Sequence, residues 1–367
     1  MDFNLTETRA MLRDTLARFL SDKYDHETRR KLIASGKPFD EDIFAGLAEL
    51  GVLGAMFTEE QGGFGGTGFD LSVIFEELGR VGVIEPVLPA VLTGGLIADA
   101  GHQDLVEEII AGSHIVALAH GEAGARYDLN HVEATYAGGV LSGTKTHVLN
   151  GAQAQSLVVS ARERGGIADE DGISLFLVPV DAKGVTIVDH INNDGTSGAM
   201  VQFDNVALED EARLGEAGHA AIEAAVARGL CAICAEALGA MEAAKALTLD
   251  YLKERKQFGV PIGKFQALQH RMADMLIEVE QARSAVINCA GNLEKPRNER
   301  ERHVSATKNL IGRVGALVAE ECTQMHGGIG MTDEYALSHF TRRLTMIDHL
   351  LGDVDHHLER FIALGAA

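Results

Sequence analysis

The hydrophobic period of this chain changes twice, and that limits the architectures open to it. In residues 1 to about 112, apolar side chains recur three and four apart, as in Leu12, Leu16, Phe19 and Leu20, the spacing of an amphipathic helix. Asp40 or Asp42 can cap a further helix whose apolar face carries Ile43, Leu47 and Leu50. Residues 58–68, TEEQGGFGGTG, hold five glycines in eleven positions, which excludes helix and predicts a loop of tight turns. From about 113 the runs shorten and become rich in β-branched residues: HIVALAH, SLVVSA, ISLFLVPV, VTIVDHI, MVQFDNVAL. Turn formers such as RGG, DAKG and NDGTSG separate them, so about six to eight strands are expected, in a sandwich or small barrel. Beyond about 215 the helical period returns in long stretches, with Phe265, Leu268, Met272, Leu276, Val279 and Val286 at helical spacing. The Ala-rich stretch AAIEAAVARGLCAICAEALGAMEAAKAL is apolar on most sides and belongs in a bundle core or a subunit interface. The expected organisation is α+β and multidomain: a helical segment 1–112, a β domain 113–214 and a helical bundle 215–367.

Charge excludes several functions. With 54 acidic and 32 basic residues the formal charge is −22, which repels nucleic-acid backbones and anionic membrane surfaces. A small anionic ligand at a local basic pocket stays open. No uninterrupted apolar run approaches the roughly 18 residues that span a bilayer. The N-terminus lacks a basic segment followed by an apolar core, so no signal peptide is expected and the cytoplasm is the expected compartment. Four cysteines are too few for a disulfide scaffold. Cys231 and Cys234 match C-x-x-C but lack a second ligand pair, so they read as core residues. The 15 histidines show no ligand spacing, and no metal site is expected.

Two segments carry chemistry. In YLKERKQFGVPIGKFQALQHRMADM, residues 251–275, a helix carrying Glu254, Arg255 and Lys256 is expected to break at Gly259-Val260-Pro261, with a second helix opening after Gly263. A helix start beside Arg255 would suit a pyrophosphate; a charged helix terminus before a proline turn explains the segment equally well. In QMHGGIGMTDEY, residues 324–335, a glycine pair follows a helix and lets a ligand approach the backbone, or simply caps the helix.

Taken in order, these segments identify a family. The chain resembles the FAD-dependent acyl-CoA dehydrogenases over nearly its whole length. The resemblance rests on Glu59, Glu60, Gly62 and Gly63; on Glu254, Arg255, Phe258, Gly259, Pro261, Ile262, Phe265 and Gln266; and on Gln324, Gly327, Gly328 and Gly330. ARYDL (125–129), DYLKERKQFGVPIG (250–263) and RLTMIDHLLGD (343–353) are similar to the small subunit of pimeloyl-CoA dehydrogenases. The resemblance implies the family's fold, with a helical domain, a β domain and a four-helix bundle. It also implies the family's reaction, in which a glutamate takes the α-proton of an acyl-CoA thioester and the flavin takes the β-hydrogen as hydride.

Carried over residue by residue, the half of the site that would meet the ADP moiety is intact: Arg255 at the pyrophosphate, Gln257 and Phe258 beside it, then Gln266, Gln324, Gly327 and Gly328. The flavin-ring half departs from the family. The usual T-E-P-x-x-G-S-D stretch is AHGEAGARYD (119–128), and the usual W-I-T is His147, Val148, Leu149. Leu351 stands where the base is expected, and the alternative base position falls near Gly229 or Leu230; neither holds a carboxylate. The resemblance therefore implies a subunit that lacks the base and shares FAD with a second acyl-CoA dehydrogenase-like chain, in a dimer or heterotetramer. An acyl-CoA would be the substrate and an electron-transfer flavoprotein or similar acceptor the oxidant. Two alternatives stay open: a self-sufficient enzyme with a relocated base (Glu122, His147, His120 or Asp353), or a non-catalytic assembly protein of the same fold.

Overall fold

The computed structural model describes residues 5–215 and 218–366. Its contacts group the chain into two compact units, one of Lys31–Gly66 and Ile84–Gly229, the other of Met1–Arg30, Thr67–Val83 and Leu230–Ala367. Six helices come first: α1 (Glu7–Lys23), α2 (His26–Ala34), α3 (Glu41–Glu49), α4 (Gly68–Val81), α5 (Val87–Asp99) and α6 (Gln103–Ile110). Asp40 is the cap of α3, its side chain accepting from the backbone of Asp42 and Ile43, so Ile43, Phe44 and Leu47 turn inward.

The first unit is built on a sheet. Its strands are β1 (Val116–Ala119), β2 (Thr135–Ala137), β3 (Val140–Leu149), β4 (Ser156–Arg162), β5 (Ile173–Pro179), β6 (Val185–Ile191), β7 (Ser197–Ala207) and β8 (Arg213–Gly215). They lie in the order β6-β7-β3-β2-β4-β5-β8, with β1 parallel to β4. The expected β domain is present as this single eight-stranded sheet. β4 is buried at every residue, as a strand covered on both faces is; its apolar Leu157–Val159 run anticipates this, whereas Ser156, Ser160 and Arg162 are buried with polar partners. Its last residue, Arg162, is 7% exposed and donates to the carbonyls of Val132, Asn130, Ile167, Asp169 and Asp171, so the guanidinium gathers the loops at that end. The glycine-rich loop is tied down in the same way: Arg228 donates to the carbonyls of Met56 (3.0 Å) and Gly66 (2.9 Å).

The second unit is helical. It contains most of α7 (Gly218–Glu254), then α8 (Gln266–Asn292), α9 (Arg297–His326), α10 (Leu337–His349) and α11 (Val354–Ala366), together with α1 and α4. α9 packs against α8, α10 and α11, and its buried stripe of Val304, Ile311, Val314, Val318, Cys322 and Met325 follows the helical period. Each such side chain contributes about 1.5–3 kcal/mol by leaving water. The inward stripe of α8 is Met275, Val279, Ala282, Val286 and Cys289, whereas Phe265 and Leu276 of the expected apolar face are 40% and 45% exposed. α4 and α7 cross at Gly79 and Gly239; a Cβ on either would collide with the other helix's backbone at Glu236 or Glu76, so only glycine permits this approach. Beside the crossing, Glu236 and Arg343 form a buried bidentate pair at 2.6 and 2.8 Å.

All four cysteines are buried and unpaired, and burial pushes the thiols of Cys234 and Cys322 up to about 12 and about 11. An 18-residue window of α7 is long and apolar enough to cross a membrane, contrary to the expectation from uninterrupted runs, but nearly all of it is buried inside the protein.

Candidate functional site

The helix α7 ends at Glu254, so Arg255 and Lys256 are not helical as expected. They begin a hairpin in which β9 (Lys256–Gln257) pairs with β10 (Val260–Pro261). Phe258 and Gly259 take φ of +54° and +79°, the left-handed pair that a two-residue hairpin turn demands. Asparagine and glycine meet that demand easily; phenylalanine does not. Phe258 is nonetheless there and 91% exposed, its ring edge-on to Phe265 at 6.2 Å.

Arg255, Gln257, Gln266 and Gln324 are exposed, and their side chains make no hydrogen bond or ion pair with any described residue. Elsewhere in this unit arginines are spent on carboxylates, as Arg283 is on Glu76 and Glu242. The Gly pair lies after α9, at Gly327 (φ +67°) and Gly328. A Cβ at Gly328 would meet nothing within 4 Å, and its φ is not left-handed, so the fold itself does not call for glycine there. A bare backbone with open space in front suits the close approach of a ligand. An open groove lined by Glu320, Thr323, Gln324, Gly327, Gly328 and Met331 runs along it.

Leu351 lies in the turn between α10 and α11 at φ +58°, and side chains grip that turn on its carbonyls. Lys308 Nζ donates to the oxygens of Asp348 (2.8 Å) and Gly352 (2.5 Å), His357 Nε2 to Leu351 (3.0 Å) and Asn309 to Val354 (2.9 Å). No carboxylate stands at 351. At the other expected base position Gly229 and Leu230 are buried in α7.

In the sheet unit, Glu122 is committed elsewhere. Its Oε1 accepts from Lys145 Nζ (2.6 Å) and Ala134 N (3.0 Å), its Oε2 from Glu133 N (2.5 Å). Lys145 is wholly buried; burial lowers its pKa to about 8, and the ammonium also reaches Ser160 Oγ and the His120 carbonyl. His120 is held neutral by burial, its pKa lowered to about 3, and bonds to Ser160 Oγ at 2.8 Å. His147 is exposed at a bulge of β3, with φ +52° and its ring edge-on to His190 at 6.0 Å.

Six described non-glycine residues have positive φ. Asn150 and Asn205 tolerate it. The other four are Arg126, His147, Phe258 and Leu351, each at a position matched above to the cofactor or the base. Strained backbone of this kind costs about 1–3 kcal/mol per residue and persists where surrounding structure enforces it.

Residues 6–112, 117–206 and 216–361 match, in turn, the N-terminal, middle and C-terminal domains of acyl-CoA dehydrogenases. The chain belongs to the acyl-CoA dehydrogenase family. It is 27% identical to a probable acyl-CoA dehydrogenase of Bacillus subtilis, over 99% of this chain and 98% of that one. Among solved structures it is similar to the Tcur3481-Tcur3483 steroid ACAD (30% identity, 98% of both chains, TM-score 0.88). Its fold also matches the ChsE4-ChsE5 complex of Mycobacterium tuberculosis (24% identity, 100% and 99% of the chains, TM-score 0.90). As a member of the acyl-CoA dehydrogenase family it is an oxidoreductase acting on acyl-CoA, with the helical, β and helical domains of that fold.

Lys145, Lys308 and His357 carry no signal in the sequence, and although Tyr251, His326 and Tyr335 lie in the two singled-out segments, no role for them is legible there. Lysine and histidine at buried positions carry no motif; only their partners, often far away in sequence, reveal them.

Proposed function

We propose that this chain is the subunit of an acyl-CoA dehydrogenase that lacks the catalytic base and shares FAD with a second, related chain. Membership of the family implies FAD, and the residues present fit its ADP half. The observation that carries the reading is the contrast within the site. Arg255, Gln257 and Gln266 are exposed with unpartnered side chains, Gln324 lines the groove at the open backbone of Gly328, and Leu351 offers no proton acceptor. Arg255 would pair with the pyrophosphate, and the glutamine amides and the Gly327–Gly328 backbone would hold the adenosine side. Phe258 would pack on the cofactor from its strained turn. When bound, FAD supplies the hydride acceptor.

A relocated base within this chain has little support. Glu122 already accepts three hydrogen bonds, one from a buried ammonium, and these hold its carboxylate in place. A second chain would supply the carboxylate, and an electron-transfer flavoprotein or similar acceptor would reoxidise the flavin. Solved structures named as pairs, such as Tcur3481-Tcur3483, support a paired assembly.

Steady-state oxidation of an acyl-CoA tests the reading. The chain alone is expected to show no turnover, and its complex with a second acyl-CoA dehydrogenase-like chain is expected to show it. Glu122→Gln is expected to lower thermal stability and leave turnover per folded complex within about threefold. Turnover by the chain alone, lost in Glu122→Gln with stability unchanged, would establish the self-sufficient enzyme instead.

A further inference from the structure

His326 sits between the two segments that carry the ADP-side residues. It is the last residue of α9, 4% exposed, and directly precedes Gly327. One face of its ring stacks on Tyr251, with centroids 4.5 Å apart and planes 23° from parallel. The Tyr335 ring lies 5.2 Å away on a tilted plane. Its two nitrogens are both used: Nδ1 donates to the carbonyl of Cys322 at 2.8 Å, and Nε2 accepts from the Tyr335 hydroxyl at 3.2 Å. Burial lowers the pKa of the ring and keeps it neutral, so with Nδ1 donating to Cys322 the Nε2 is the acceptor.

Each ring contacting His326 belongs to a different part of the site. Tyr251 lies one helical turn before Arg255, whose backbone N–H bonds to the Tyr251 carbonyl at 2.8 Å. The Arg255 carbonyl in turn accepts from Ile262, which closes the hairpin bearing Phe258. Tyr335 lies two residues before α10, in the segment that follows Gly327. The exposed Arg255 and Gln257 therefore connect to the bare Gly327–Gly328 backbone through one ring stack centred on the buried His326.

We infer that His326 is a positioning residue: its stack on Tyr251 and its bond to Tyr335 hold the Arg255 hairpin and the Gly327–Gly328 turn in register, so that both grip one ADP moiety. The inference rests on the reading that the ADP half of FAD binds here. His326 itself need not touch the nucleotide. Its contribution comes through two segments 71 positions apart in sequence, whose relative placement the stack fixes before the nucleotide binds.

The test is ADP binding to the full-length chain, by calorimetry, alongside thermal unfolding of every variant. Tyr251→Leu and His326→Leu are each expected to weaken ADP about 3- to 10-fold, the range one aromatic pair covers. The double variant should be no weaker than the weaker single, because both remove the same coupling. Tyr251→Phe keeps the stack and should stay within about twofold of the parent. Tyr335→Phe, a gentle change that keeps the ring, should weaken ADP about 2- to 5-fold. Lower melting temperatures with unchanged ADP affinity would make His326 a packing residue only and overturn the inference. Additive losses in the double variant would do the same. If the unaltered chain bound no ADP, or bound it equally well as Arg255→Ala, the shared-cofactor reading itself would fall; binding that depends on Arg255 and ignores Tyr251 and His326 would sink the coupling alone.

Discussion

Lys308 Nζ donates to the carbonyl oxygen of Gly352 at 2.5 Å, and through it α9 fixes the turn in which Leu351 takes its left-handed conformation. The same ammonium holds the Asp348 carbonyl at 2.8 Å. The backbone at the expected base position is thus fully supported although its side chain is leucine. Lys308→Met would leave two acceptors without their donor. At about 1–3 kcal/mol for each unsatisfied buried group, a loss of roughly 2–6 kcal/mol is expected in urea unfolding. An unchanged midpoint would show that the turn is held by packing alone.

The pair Glu236–Arg343 allows a sharper test, because both side chains are almost completely buried. Glu236→Leu takes the bidentate carboxylate away from a buried guanidinium and should cost about 3–5 kcal/mol. Adding Arg343→Met should recover most of that loss, since well-packed apolar replacements of buried pairs are often neutral. If the double variant were as unstable as the single, charge burial would not be the cause.

Acid should unfold this protein early. Burial lowers the pKa of His120 and His357 to about 3 and that of His339 to about 4, below the model-peptide value of about 6.5. The unfolded chain then binds more protons than the folded one between those limits, so stability falls as pH drops through that window and is fully present above about 6.5. Each histidine adds at most about 1.4 kcal/mol per pH unit. Circular dichroism from pH 7 to 4 should show this slope, and His357→Gln should flatten it. A flat profile down to pH 4 would mean these rings are already neutralised in the unfolded chain or charged in the fold.

Gly328→Leu separates fold from site. Nothing lies within 4 Å of the added Cβ, so the melting temperature should hold within a degree or two, while FAD retention in the complex should fall at least tenfold. A comparable change at Gly79 should instead unfold the protein, because its Cβ would strike the backbone of α7 at Glu236. Equal FAD retention in Gly328→Leu would remove that backbone from the site.

The order of helices, strands and helices was legible in the sequence because hydrophobic period is local. The residues proposed for the ADP side were picked out by their spaced motifs. The hairpin at Lys256–Pro261 was not, because Lys-Gln-Phe-Gly reads as helix until the Phe258 backbone is seen at φ +54°. The role of Glu122 was equally hidden. As a lone carboxylate in an altered loop it stood as one of four candidates for a relocated base; only the fold brings Lys145, 23 residues on, to within 2.6 Å. The same holds for Glu236 and Arg343, 107 residues apart. Pairings of this kind depend on three-dimensional register, which no short window of sequence contains.

FAD content per polypeptide tests the central claim most directly. The chain should be purified alone and then co-purified with a second acyl-CoA dehydrogenase-like chain, and flavin absorbance read against protein. Little or no FAD alone, and about one FAD for every two polypeptides in the mixed complex, is the result expected of a shared site that this chain completes from the ADP side. One FAD bound per polypeptide by the chain alone would contradict it, and would show that His147 and Leu149 still build a whole flavin pocket.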